Sequence, residues 1–151
     1  MIYFADTSAL VKRYVEEIGA GYIRTLVTTP DTLLYQTFLT PLEITSAFYR
    51  RRRMNELSEE EVALALQTYR SHSHREYVLV PYSEALMSTA ETLLARHPLR
   101  TLDAIQLAAA LTLKSTFPVN DVPLTFLSAD DRLIAVAQQE HLLTENPNSH
   151  P

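Results

Sequence analysis

The chain has 151 residues, 46% of them hydrophobic and 21% charged, with a formal net charge of −5; this is a globular composition sized for one domain with a real core. No apolar run approaches the ~20 residues needed to cross a bilayer, so no membrane partner is expected. Cysteine is absent, which excludes disulfides, thiolate metal sites and cysteine nucleophiles and fits a reducing cytoplasm, while two glycines, Gly19 and Gly21, cannot build a Gly-rich phosphate loop.

The opening residues Ile2 to Ala5 form an uninterrupted apolar run, the mark of a strand buried on both faces of a parallel sheet. Asp6 follows at its carboxyl end, where open α/β sheets place their ligands. Thr7 and Ser8 can cap a helix expected over residues 7–14. A second helix is expected over 20–28, ended by Pro30 and Asp31, and a strand over 33–36. Thr40 reads as the cap of the next helix, with Pro41 at its first position and Glu43 three residues on, and the helix runs to about Met54. Ser58 with Glu61 forms another capping box, opening a helix to about Arg75. A strand follows over 77–80, then helices from Ser83 to about His97 and from Thr101 to about Lys114. Residues 115–123 read as a long loop, with Asp121 a turn residue. A strand over 124–127, a helix over 129–140 and a short strand over 142–144 complete the pattern. Residues 146–151 read as a frayed tail after a domain over 1–145. Strands alternating with helices predict an α/β fold: one parallel sheet of four to five strands with helices on both faces.

Four acids stand in apolar or strand-end settings. Asp6 follows the first strand. Glu43 shares a helix face with Leu39 and Ala47, although a capping box with Thr40 would explain it equally well. Asp103 lies in the first turn of a helix apolar nearly all round, where the helix dipole also favours an anion. Asp130 repeats the setting of Asp6 after the fourth strand; its neighbour Asp131 reads as solvated, because Leu133, Val136 and Ala137 fix the inward face, and the choice between the two depends on register. Each acid alone has a structural explanation that ties or wins. Jointly they do not, because carboxylates that converge without enough bases repel unless a hard cation joins them. Oxygen ligands suit Mg²⁺ or Mn²⁺, ions that act on phosphate esters.

Asp6-Thr7-Ser8-Ala9-Leu10 with Lys12 and Tyr14, Glu43 in its helix, Leu102-Asp103-Ala104-Ile105 with Leu107-Ala108, and Ser128-x-Asp130-x-x-Leu133 with Ala137 together resemble the PIN-domain ribonucleases, in particular the VapC-type toxins of toxin–antitoxin pairs. The resemblance spans about residues 1–145. It implies a single PIN-like domain, a Mg²⁺ or Mn²⁺ site held by Asp6, Glu43, Asp103 and Asp130, and endonucleolytic cleavage of structured RNA. It also implies a homodimer and a small VapB-like antitoxin that blocks the site. Ser8 and Ser128 are expected to orient ligands or water. Gln106 stands where relatives often carry histidine, and its amide still offers a hydrogen bond.

Arg50 to Arg53 close the helix that bears Glu43, where positive charge complements the helix terminus. Arg50 is seven residues from Glu43 and therefore on the same face, a candidate contact for RNA phosphate or for an acidic group of an antitoxin. Lys12 and Arg13 are candidates of the same kind. Two rival readings remain. A haloacid-dehalogenase-type phosphatase needs a second acid two residues after the first, where this chain has Ser8. A PIN-like module without chemistry would bind RNA or protein and need no intact acids.

Overall fold

The computed structural model describes residues 1–117 and 123–150; most of the expected loop, including Asp121, and Pro151 at the terminus lie outside the described residues. Among the described residues, five strands form one parallel sheet in the order β3-β2-β1-β4-β5, with β1 Ile2–Ala5, β2 Leu33–Thr37, β3 Tyr77–Val80, β4 Leu124–Leu127 and β5 Leu143–Glu145. Seven α-helices among the same described residues connect and cover them: α1 Thr7–Leu10, α2 Ala20–Thr28, α3 Thr40–Arg53, α4 Glu59–Arg75, α5 Glu84–Arg96, α6 Thr101–Ser115 and α7 Asp131–Gln139. The predicted α/β architecture is therefore the observed one, at the upper end of the expected strand count.

Alternation along the strands sorts side chains to two faces. Ile2, Phe4, Leu124 and Phe126 enter one core with Leu86, Leu93, Leu107 and Leu133 from α5, α6 and α7. The Phe4 and Phe126 rings stack there, 5.8 Å apart. Ala5, Leu34, Tyr77 and Leu127 enter the other core with Leu10, Ile23, Ile44, Phe48 and Leu66 from α1 to α4. α6 is buried without a break from Ala104 to Ala110, as its nearly continuous apolar sequence requires. β1 is central, and the chain leaves it towards β2 on one side and receives β4 on the other. The carboxyl ends of β1 and β4 are thus the switch point where such sheets open a crevice.

Several local expectations change. The helix expected over 7–14 is one α turn followed by a 3₁₀ turn at Val11–Arg13. Thr40 does not cap α3: Leu39 takes that position without a side-chain bond, and the Thr40 hydroxyl meets the Thr37 hydroxyl at 3.1 Å. Arg100, not Thr101, takes the cap position of α6. The capping box of Ser58 and Glu61 forms as read. The residues expected to fray after β5 instead close a 3₁₀ turn at Pro147–Ser149, whose Pro147 is buried. Its partner is Gly19, at φ +82°; a Cβ there would stand 2.4 Å from the Pro147 carbonyl oxygen, so the close approach needs glycine.

Candidate active site

Asp6 leaves the end of β1 and is 5% exposed. Its Oδ1 accepts the Ala9 N–H at 3.0 Å, capping α1, and the Ser8 hydroxyl at 2.8 Å. Its Oδ2 accepts the Ser128 hydroxyl at 3.0 Å. Ser8 also ties the end of β1 to the loop after β4, because the Ala129 N–H donates to Ser8 Oγ at 2.8 Å; within that loop the Asp130 N–H donates to Ser128 Oγ at 3.1 Å. Burial pushes the Asp6 carboxyl up to about 6; three hydrogen bonds oppose the shift, and the Glu43 charge adds to it.

Glu43 is not the acid of a capping box. Its Oε2 accepts the Thr7 hydroxyl at 3.0 Å and the Gln106 amide, which also reaches Thr7 Oγ1 at 3.2 Å and Thr40 Oγ1 at 3.4 Å. Thr40 thus serves the floor of the site rather than the helix start. Burial raises the Glu43 carboxyl, the bonds from Gln106 and Thr7 lower it, and the Asp103 charge raises it further. Gln106 is 3% exposed, and its carbonyl Oε1 has no hydrogen-bond partner among the described residues.

Asp103 sits in the first turn of α6. Burial and then the charge of Asp130 raise its carboxyl, against the Arg100 guanidinium and backbone N–H. Asp130 caps α7 through Oδ1, which accepts the Arg132 N–H at 2.8 Å and the Leu133 N–H at 3.4 Å. Asp131 turns elsewhere: its Oδ1 accepts the Asn146 side-chain amide at 2.7 Å.

Asp6, Glu43, Asp103 and Asp130 line one crevice of about 580 Å³ together with Ser8, Gln106 and Arg50. Arg100 lines it as well, and Leu42 and Leu102, exposed large apolar residues, form part of its wall. Sequence reasoning missed Thr7, Thr40 and Arg100. Thr7 lay in plain view inside the Asp-Thr-Ser run, but its partner 36 residues away is fixed only by the packing of α3 on α1.

Two expected contacts are elsewhere. Lys12 is 6% exposed, and its ammonium donates to Glu17 Oε1 and the Ile18 carbonyl, both at 2.9 Å. It serves the fold, because a buried ammonium must find acceptors. Arg13 donates to Tyr77 Oη at 2.5 Å, pairs with Glu76 at 2.7 Å, and lines a different crevice of about 840 Å³ beside α2 and α4. Of the three predicted basic contacts, only Arg50 faces the acids' crevice.

Among the described residues, no three acids or histidines stand close enough to form the direct ligand shell of one ion. Each carboxylate is held to its own wall by the bonds above. The donor set nevertheless suits a hard cation. It is all oxygen, Glu43 Oε1 and Asp130 Oδ2 have no hydrogen-bond partner among the described residues, and Mg²⁺ ordinarily keeps several waters while using one or two carboxylates.

Most of the chain superposes on solved structures despite low identity. The VapBC2 complex of Rickettsia felis, solved with a fragment of its promoter DNA, matches with a TM-score of 0.64 at 11% identity over 97% of this chain and 98% of that one. The fold is that of a PIN domain. The structural match extends to PAE2754 of Pyrobaculum aerophilum, with a TM-score of 0.68 at 16% identity over 99% and 91% of the two chains. It extends also to the sarcin-ricin-loop-cleaving toxin VapC20 of Mycobacterium tuberculosis, with a TM-score of 0.62 at 17% identity over 88% and 93%. Neither a protein-family profile nor a curated protein sequence matches the chain. Among the described residues, no helix is long and apolar enough to cross a membrane.

Proposed function

We propose that this PIN domain is a Mg²⁺- or Mn²⁺-dependent endoribonuclease and the toxin of a type II toxin–antitoxin pair. The observation that carries the reading is the convergence of Asp6, Glu43, Asp103 and Asp130 on one crevice at the switch point of the sheet. Burial and mutual charge push three of them towards the protonated form, so the site is poised to gain from a cation. The solved structures of similar fold include toxin–antitoxin complexes and a toxin that cleaves the sarcin-ricin loop, which supports the same class of activity.

The four carboxylates would hold the ion, directly or through water. When bound, it supplies an activated water and neutralises charge on the phosphate oxygens. Ser8 and Ser128 favour the ionised form of Asp6 against its burial, and orient it, by donating to both of its oxygens. Gln106 and Thr7 do the same for Glu43 from one side, leaving Oε1 to the crevice chemistry. Arg50 and Arg100 place two guanidinium groups on the same crevice, matched to phosphates beside the scissile bond. A homodimer, a VapB-like antitoxin that occludes the crevice and a cytoplasmic location complete the proposal.

The test is cleavage of structured RNA by purified protein with Mn²⁺ or Mg²⁺, with EDTA, and with the Asp6→Asn and Glu43→Gln variants. Metal-dependent cleavage lost in both variants is expected. RNA binding without cleavage under any metal condition would instead favour the non-catalytic PIN-like module.

A further inference from the structure

The C-terminal turn grips the peptide that carries Asp130 from both sides. Asn146 follows β5, and its Oδ1 accepts the Asn148 N–H at 2.9 Å, capping the 3₁₀ turn. That bond fixes the orientation of the amide, whose Nδ2 donates to Asp131 Oδ1 at 2.7 Å. The Asn148 amide reaches the Ala129 carbonyl at 3.5 Å. Residues 129 and 131 are thus both held by the tail, with Asp130 between them. The tail itself is anchored on the body of the domain. Pro147 seats against Gly19, the His150 ring stacks on Tyr22 at 4.0 Å, and His150 Nε2 bonds Glu145 Oε1 at 3.0 Å. The Ser128 N–H donating to the Glu145 carbonyl at 3.2 Å continues the grip into the loop after β4.

We propose that Asn146 and the turn it caps are positioning elements for Asp130, setting the direction of its carboxylate in the acid crevice. The inference rests on the reading of Asp130 as a metal-holding acid. It also accounts for the paired acids of the sequence: Asp130 serves the crevice, and Asp131 is the handle by which the tail holds it. Outer contacts of this kind commonly govern metal affinity about 10-fold or more.

The test is titration of metal-free protein with MnCl₂ by calorimetry, well below the melting temperature, beside a metal-free thermal melt. Asn146→Asp sets two carboxylates face to face and should weaken Mn²⁺ binding roughly 10-fold. Asp131→Asn keeps an acceptor for the Asn146 amide and should stay within about 2-fold of wild type. The double variant Asn146→Asp/Asp131→Asn swaps donor and acceptor across the same contact and should recover most of the lost affinity, a coupling that a general loss of stability does not produce. Should Asn146→Asp fail to fold, Asn148→Ala, which removes the contact to Ala129, should weaken Mn²⁺ binding about 2- to 3-fold. Wild-type affinity in Asn146→Asp, or a loss that the double variant does not recover, overturns the positioning role while leaving the nuclease reading intact; wild-type affinity in Asn148→Ala does the same where that variant stands in. A wild-type protein that neither binds Mn²⁺ nor cleaves RNA overturns both.

Discussion

The burial of Asp6 sets a stability cost that a single substitution should release. Burial raises its carboxyl from 3.8 to about 6, worth about 3 kcal/mol at 1.36 kcal/mol per pKa unit. The folded value lies above the unfolded one, so the folded state binds more protons between them. Stability therefore falls as pH rises through about 4 to 6, and the whole cost is present above that window. Asp6→Asn removes the charge, keeps the shape and caps α1 as well as aspartate does. It forfeits one hydroxyl donation, from Ser8 or Ser128, at about 1 kcal/mol. The net gain at pH 7.5 in EDTA is then about 2 kcal/mol, a rise in Tm of about 4–8 °C for a domain of this size. At pH 4 the released cost is below about 1 kcal/mol, and the variant should melt level with wild type or slightly lower. With Mn²⁺ at about 100 times its Kd, wild type should gain about 2.7 kcal/mol and the variant far less, which reverses the order seen in EDTA. Paired thermal melts at the two pH values, with and without metal, read all of this. A variant that melts lower than wild type at pH 7.5 in EDTA, or by the same margin at both pH values, would refute the argument that Asp6 is held against its preference.

Arg50→Ala should lower the log–log salt slope of RNA binding by roughly one unit, as for a lost phosphate contact, whereas Lys12→Ala should leave that slope alone and destabilise the fold by about 3 kcal/mol through its broken pair with Glu17; filter binding across a salt series together with denaturant melts separates the two, and a lowered slope for Lys12→Ala would contradict its structural assignment. Asp103→Asn retains an acceptor for the Arg100 N–H and relieves repulsion with Asp130, so in EDTA at pH 7.5 it should melt at or above wild type, respond less to Mn²⁺ and cleave no RNA. A lower melting temperature with a wild-type response to metal would make Asp103 a structural acid.

Much of this fold is local and therefore readable from the chain. The apolar run before Asp6, the alternation of strands with amphipathic helices and the Ser58–Glu61 box follow from side-chain periodicity and capping, which need only a few neighbouring residues. The setting of Asp6 and Asp130 after strands is local too, and so is the burial of α6 around Asp103. The final turn was missed because its stability is not local: Pro147 is held by a glycine 128 positions earlier in the chain.

Where local signals tied, only the tertiary structure decided. Glu43 and Thr40 have the spacing of a capping box, but Thr7 from α1 and Gln106 from α6 offer donors that the helix end cannot match, and the acid turns to the crevice. Asp130 and Asp131 are adjacent and chemically identical; the Asn146 amide takes one and leaves the other to the site. Lys12 and Arg50 are both cations near an acid in sequence, yet one is buried against Glu17 and the other stands on the crevice wall. Periodicity fixes which face of an element is apolar. Which polar side chains meet across that face depends on how separate elements pack, because hydrogen bonds and charge pairs of this kind act only at contact distance.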